Sequence, residues 1–394
     1  MPHSDHSLSP QRETFQELPP FPNNVPTAPL LRISLEKLLC HDAEEEERCW
    51  KACCDLGFFY LDLHTSSGHE LDGEALLQDA QKLFEVMKEF YDLDVQEKVK
   101  YDLKDQGSYF GYKGYGEGFI DKQGTRDRNE FYNISKDDVL GLSPPLPSPA
   151  VLNPHRALYK SYTHSSHAIC MLITSLVSSR LPLTPTARAS GALESLHRLS
   201  APSGDQIRFV QAPPQEQSLK GVALGEHTDF GSVTVLFNRL GGLQVRLPDT
   251  IAPLAPSSTD PSASATEKRL CEDGWTYVRP LPRHCIVNLG DALVKFSSGM
   301  LRSNIHRVVA PPGEQGKVTR YSLVYFCRPE DDVVLKSLVE GGEAEEDGEE
   351  EVTAKEWILR RALGRRKVDG WEESAGTEGV SMNVGRSREG GMRV

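Results

Sequence analysis

The stretch QIRFVQAPPQEQSLKGVALGEHTDFGSVTVLFNRLGGLQVRL, residues 206–247, decides the fold. Its short runs rich in β-branched and aromatic residues, at 206–211, 232–237 and 243–247, are separated by Gly, Pro and Asp at turn spacing. Antiparallel strands read this way. The texture continues through 276–279, 285–289, 306–309 and 320–326. Many short strands at this spacing predict a sandwich or jelly roll rather than a parallel α/β sheet. Residues 249–272, rich in Pro, Ser, Thr and Ala, interrupt two of the runs and are expected to be a disordered insertion.

Upstream the period changes. Leu76, Leu77, Ala80, Leu83, Phe84, Met87, Phe90 and Tyr91 fall on one face and predict a long amphipathic helix over 72–101. Leu158, Tyr162, Ala168, Ile169, Leu172, Ile173 and Leu176 predict a second over 155–181. A shorter helix at 44–55 runs through Gly57 into a strand-forming run, Phe58-Phe59-Tyr60-Leu61. Between the long helices, GSYFGYKGYGEG (107–118) alternates glycines with aromatics, which reads either as a loop over a pocket or as an irregular surface loop.

Residues 1–26 lack periodicity and read as a flexible arm. Past residue 330 an acidic run, GGEAEEDGEEE (341–351), reads as a solvated linker. A helix should then open at Thr353, which forms a capping box with Glu356. On it Arg360, Arg361, Arg365, Arg366 and Lys367 are expected to form a solvated basic face, with a flexible tail after residue 370. The fold class is therefore α+β, mainly β. An N-terminal helical and strand region (27–150) precedes a helix and jelly-roll domain (151–330), and 331–394 holds the linker, C-terminal helix and tail.

Composition narrows the function. With 394 residues, 38% hydrophobic and 26% charged, the chain is globular rather than fibrous or wholly disordered. The balance of 44 Lys+Arg against 57 Asp+Glu, a formal charge of −13, opposes binding to nucleic acid or anionic membranes. No basic leader followed by an apolar stretch is visible, nor an apolar run of about 18 residues, so a cytoplasmic protein with no membrane and no obligate protein partner is expected. The eight cysteines lack paired spacing and read as reduced thiols, with Cys49, Cys53 and Cys54 packing a helix rather than holding zinc.

His227-Thr228-Asp229 sets an imidazole and a carboxylate at i and i+2, on one side of an extended segment. His306 offers a third ligand at the start of a strand. Two His and one carboxylate leave coordination positions open on a non-haem Fe(II). No GxSxG elbow, HExxH helix or phosphate loop competes. His164 and His167 read as packing or surface residues, and Asn288 to Asp291 as a turn between strands. Arg320 and Ser322 project to one face of an otherwise apolar strand. There they suit either an anionic ligand or an internal salt bridge.

Taken together, GEHTDFGSVTVLF (225–237), GGLQV (241–245), GWTYVRPLPRHCIVNLGDAL (274–293), SGMLRSNIHRVV (298–309) and RYSLVYF (320–326) resemble the Fe(II)/2-oxoglutarate-dependent dioxygenases related to isopenicillin N synthase. CCDLGFFYL (53–61), EFYDLDVQEKVKY (89–101) and GYKGYG (111–116) extend the resemblance over residues 27–330. It implies a double-stranded β-helix with Fe(II) on His227, Asp229 and His306, and the distal carboxylate of 2-oxoglutarate on Arg320 and Ser322. It also implies that O2 and 2-oxoglutarate are consumed, with succinate and CO2 released, as a small organic molecule is hydroxylated, desaturated or cyclised, as in specialised metabolism. One departure stands out: Val210 and Ala212 replace the Asn and Tyr that help hold the cosubstrate in many relatives. Each lost hydrogen bond is worth on the order of 1 kcal/mol, and Arg208 or a water is the expected substitute. By position, Tyr109, Phe110, Tyr115, Phe131, Phe230 and Phe296 are candidates for the mouth above the iron, with Arg208 beside them. The rival readings are an oxidase of the same fold that dispenses with 2-oxoglutarate, and an inactive binding protein.

Overall fold

The computed structural model describes residues 18–66, 68–121, 123–214, 222–248, 251, 274–342, 351–364 and 366. The start of the expected arm, nearly all of the insertion at 249–272, most of the acidic run, Arg365, Lys367 and the tail lie outside the described residues. Twelve strands are described: β1 (Arg32–Ser34), β2 (Phe58–Asp62), β3 (Gly111–Lys113), β4 (Glu130–Ser135), β5 (Gln206–Ala212), β6 (Val222–His227), β7 (Val233–Asn238), β8 (Leu243–Arg246), β9 (Trp275–Tyr277), β10 (His284–Leu289), β11 (His306–Val309) and β12 (Arg320–Cys327). They form an eight-stranded sheet in the order β1-β2-β10-β7-β12-β5-β4-β3 and a four-stranded sheet, β6-β11-β8-β9. All described pairings are antiparallel except β1 with β2. The two sheets make the jelly roll expected from the strand spacing.

Alternation along each strand divides the larger sheet into two faces. Ile207, Phe209, Val233, Val235, Phe237, Val287, Leu289, Leu323 and Tyr325 share one buried cluster with Leu76, Leu83, Met87, Ile169, Ile173 and Val177 of the two long helices. The opposite face looks into the sandwich. Near β2 it is apolar, and there Phe58, Tyr60 and Ile286 meet Leu243 and Val245 of the smaller sheet and Leu247 just beyond it. Toward β12 it is polar, because register aligns Arg320, Ser322 and Val324 with Ala212, Val210 and Arg208 on one side, and Ser322 with Asn238 on the other.

Two expectations change. The long helix stops at Tyr91 and a short one, Val95–Lys98, follows. Asp92 is the C-cap of the first and Asp94 the N-cap of the second, the latter a position that a short acidic side chain favours over a helix interior. The glycine-aromatic stretch contains strand β3 rather than only a loop, with Gly111 at φ 77° beside the Tyr101 carbonyl, where no side chain fits. The second helix, Arg156–Arg180, and the C-terminal helix, Ala354–Gly364, lie where periodicity puts them. The capping box forms, Glu356 Oε2 accepting from Thr353 N at 2.9 Å and Thr353 Oγ1 from Glu356 N at 3.3 Å.

Candidate metal and cosubstrate site

His227 ends β6 and His306 opens β11, and the register sets the two directly opposite each other. Their rings lie 4.1 Å apart, centroid to centroid. The Nδ1 of each donates to a backbone carbonyl two residues earlier, Gly225 O at 2.8 Å and Asn304 O at 3.1 Å. A carbonyl only accepts, so Nδ1 carries the proton and Nε2 keeps its lone pair for a ligand. Asp229 stands beyond the end of β6 with Oδ2 accepting from Thr234 Oγ1 and Asn288 Nδ2, each at 2.7 Å. Its Oδ1 lies 3.8 Å from His306 Nε2, too far for a hydrogen bond. One donor atom each from His227, Asp229 and His306 falls within 4.8 Å of the other two. Two nitrogen donors and one carboxylate oxygen on one side of a gap, each fixed from behind, fit a first-row divalent ion with open positions.

The turn bearing Asp229 is held by its backbone. Asp229 O accepts from Asp291 N at 2.9 Å and Gly231 O from Ala292 N at 3.0 Å, at the start of the helix Asp291–Phe296. Gly290, the N-cap of that helix, lies so close to Gly231 O that a Cβ would collide with it. This corrects the reading of 288–291 as a mere turn. Asn288 belongs to β10 and orients the Asp229 carboxylate, while Asp291 starts a helix. The turn chemistry of Asn-x-Gly-Asp is real, but tertiary packing uses it otherwise.

Arg320 is 3% exposed, donating from Nε to Gly241 O at 2.7 Å and from Nη1 to Ser322 Oγ at 2.6 Å. Among the described residues no carboxylate pairs with it, so the internal salt bridge is not formed. Burial alone pushes its pKa down to about 10. A guanidinium so placed, with a hydroxyl beside it, awaits an anion. The aligned Val210 and Ala212 offer no polar group, but Asn238, opposite Ser322 on β7, is buried with Nδ2 unsatisfied. Sequence reasoning missed Asn238. Its signal is an Asn closing an apolar strand that faces the Arg-Ser pair.

The other candidates scatter. Arg208 stacks between Phe131 (4.3 Å) and Phe326 (4.9 Å), with Nε donating to Asn133 Oδ1 at 2.7 Å. Tyr109 and Phe110 stack on each other at 4.5 Å, and Tyr109 Oη lies 3.4 Å from Arg328 Nη1. Tyr115 is 52% exposed. Phe230 lies under the Arg361 guanidinium at 4.2 Å. Phe296 does not line a mouth: it is wholly buried, edge-on to His197. His167 packs inside, Nε2 donating to His197 O at 2.8 Å.

A family model described as the 2OG-Fe(II) oxygenase superfamily matches residues 204–329, and one described as the N-terminal part of non-haem dioxygenases in morphine synthesis matches 29–151. A 2-oxoglutarate-dependent dioxygenase of Aspergillus fumigatus is 34% identical over 81% of this chain and 80% of that relative. The chain belongs to the 2OG-Fe(II) oxygenase superfamily. A second superfamily relative, a 2-oxoglutarate-dependent dioxygenase of Glarea lozoyensis, is 31% identical over 78% of this chain and 82% of its own length. Among solved superfamily folds, a full-length Neurospora crassa protein in complex with alpha-KG and 5-formyluracil superposes with a TM-score of 0.62 at 21% identity, covering 85% of this chain and 96% of that one. A rice dioxygenase for auxin oxidation gives 0.55 at 22%, covering 88% and 98%. The protein is thus a non-haem iron, 2-oxoglutarate-dependent oxidoreductase that uses O2 and acts on a small molecule. No helix among the described residues is long and apolar enough to cross a membrane.

Proposed function

We propose that His227, Asp229 and His306 hold Fe(II), that Arg320 and Ser322 grip the distal carboxylate of 2-oxoglutarate with Asn238 as a further donor, and that the protein hydroxylates, desaturates or cyclises a small organic molecule. The observations that carry this reading are three fixed donors facing one gap, two of them on β6 and β11 of the smaller sheet, and on β12 of the larger sheet a buried arginine with no carboxylate partner among the described residues. Bound iron supplies the activation of O2 that couples decarboxylation of the keto acid to substrate oxidation. The chain supplies orientation. Thr234 and Asn288 fix which carboxylate oxygen of Asp229 faces the metal, and the Gly225 and Asn304 carbonyls fix both imidazole tautomers. The aromatic sandwich around Arg208 supports a substrate with a planar or anionic part. The seven described cysteines are free, which supports work in the reducing cytoplasm.

Anaerobic addition of Fe(II) and then 2-oxoglutarate should produce a metal-to-ligand charge-transfer absorption, and succinate should be released in air once a substrate is supplied. Iron binding without that absorption would instead favour an oxidase that dispenses with 2-oxoglutarate. Asn288→Leu should keep the fold but lower metal affinity by roughly 10- to 100-fold, as loss of an outer-shell partner does. Wild-type affinity in a Co(II) titration of this variant would refute its orienting role.

A further inference from the structure

The C-terminal helix carries a side chain that the iron and cosubstrate reading does not use. Arg361 was expected on a solvated face, yet it is wholly buried. Its Nη1 pairs closely with Asp291 Oδ2, its Nη2 donates to Thr228 Oγ1 at 3.2 Å, and its guanidinium covers the Phe230 ring at 4.2 Å and the Trp357 ring at 5.0 Å. Thr228 Oγ1 in turn donates to Asp291 Oδ2 at 2.9 Å. Thr228 and Phe230 are the two chain neighbours of Asp229, and the Asp291 backbone holds the Asp229 carbonyl. One ion pair therefore grips the metal-binding turn from its side chains while the same aspartate grips it from its backbone. Further along, Arg366 pairs with Asp102 at 2.8 Å and reaches Tyr112 O at 3.4 Å, fastening the end of the helix to the glycine-aromatic segment.

A buried ion pair is weak evidence for stability alone, since apolar residues of similar volume often do as well. Its firmer use is to specify one arrangement. We propose that Arg361 is a positioning residue for the iron-binding turn, and that the C-terminal helix is through it a part of the metal site. This rests on the ligand assignment above. Three effects are separable by sign. If Arg361 acted only by charge, removing a cation near the site would tighten binding of a divalent ion. If it acted only by packing, its loss would lower folding stability and leave metal affinity alone. If it positions the turn, its loss weakens the metal and changes the ligand field.

The test is a Co(II) titration of the full chain, following both the dissociation constant and the visible d–d bands, with thermal unfolding recorded with and without metal. Arg361→Met is expected to weaken Co(II) by roughly 10- to 100-fold and to alter the bands. Arg361→Lys keeps the charge without the two-pronged geometry and should fall between wild type and Arg361→Met. Thr228→Val leaves the ion pair in place but removes its side-chain hydrogen bonds to the turn, so it should weaken Co(II) in the same direction and by less. If Arg361→Met does not fold, Arg361→Lys and Thr228→Val decide. Wild-type affinity and bands in these variants, or tighter binding by Arg361→Met, overturn the proposal. A His227→Ala control separates the two ideas. Undiminished Co(II) binding by that variant would mean that the ligand assignment, not the positioning role, has failed.

Discussion

His227→Ala should abolish iron-dependent turnover and remove the charge-transfer absorption of added 2-oxoglutarate. The loss should exceed about 100-fold, the upper end of what outer-shell substitutions cost, because a donor itself is removed. The two imidazoles face each other across a register pair, so no described nitrogen stands ready to replace the one deleted. Asp229→Ala should be as severe, for a further reason. It also strips Thr234 Oγ1 and Asn288 Nδ2, both in buried residues, of their shared acceptor, at about 1–3 kcal/mol for each donor left unsatisfied. Its unfolding midpoint should therefore fall as well, whereas His227→Ala, whose ring Nδ1 donates to the Gly225 carbonyl two residues away, should lose metal with a smaller stability change. Succinate release at the wild-type rate by either variant would sink the ligand assignment.

Arg320→Met should leave Fe(II) binding intact and raise the 2-oxoglutarate concentration needed for the charge-transfer absorption. Deleting one partner of a buried charge-assisted pair costs about 2–5 kcal/mol, roughly 30- to 5,000-fold in Kd. The same substitution should change the stability of the ligand-free protein little, because relief of the guanidinium's burial offsets the hydrogen bonds lost to Gly241 O and Ser322 Oγ. Asn238→Leu should shift 2-oxoglutarate affinity in the same direction by a smaller factor, roughly 10- to 150-fold for one hydrogen bond to a charged group at about 1.5–3 kcal/mol. Equal affinity in wild type and Arg320→Met by anaerobic titration would remove Arg320 from the cosubstrate site.

The clustering of the three proposed ligands was legible because their signal is local. His-x-Asp needs only the two-residue period of an extended chain, and His306 opens a run whose apolar character marks a strand. The second long helix was legible from a period sustained over 25 residues. Asn288 was not, because Asn-Leu-Gly-Asp satisfies turn chemistry by itself, and only the approach of a segment 59 residues away shows what its amide holds. Arg361 was hidden among similar charges. Yet it stands three residues after Ile358 and four after Trp357, on the apolar stripe of its helix, a placement that separates it from the exposed Arg360. One mouth candidate, Phe296, failed because aromatics are ambiguous in sequence: it resembles Phe131 there, but it faces the helices' side of the core while Phe131 faces an arginine.

The Arg361 contact also bears on how the protein comes into being. Synthesis is vectorial, and Arg361 is joined to the chain 133 residues after the Thr228 that it meets. A ribosome that has released both histidines has therefore not yet released the arginine that seats the turn between them. If Arg361 seats that turn, a nascent chain that meets zinc or copper before Arg361 emerges presents a less ordered set of ligands than the finished chain does.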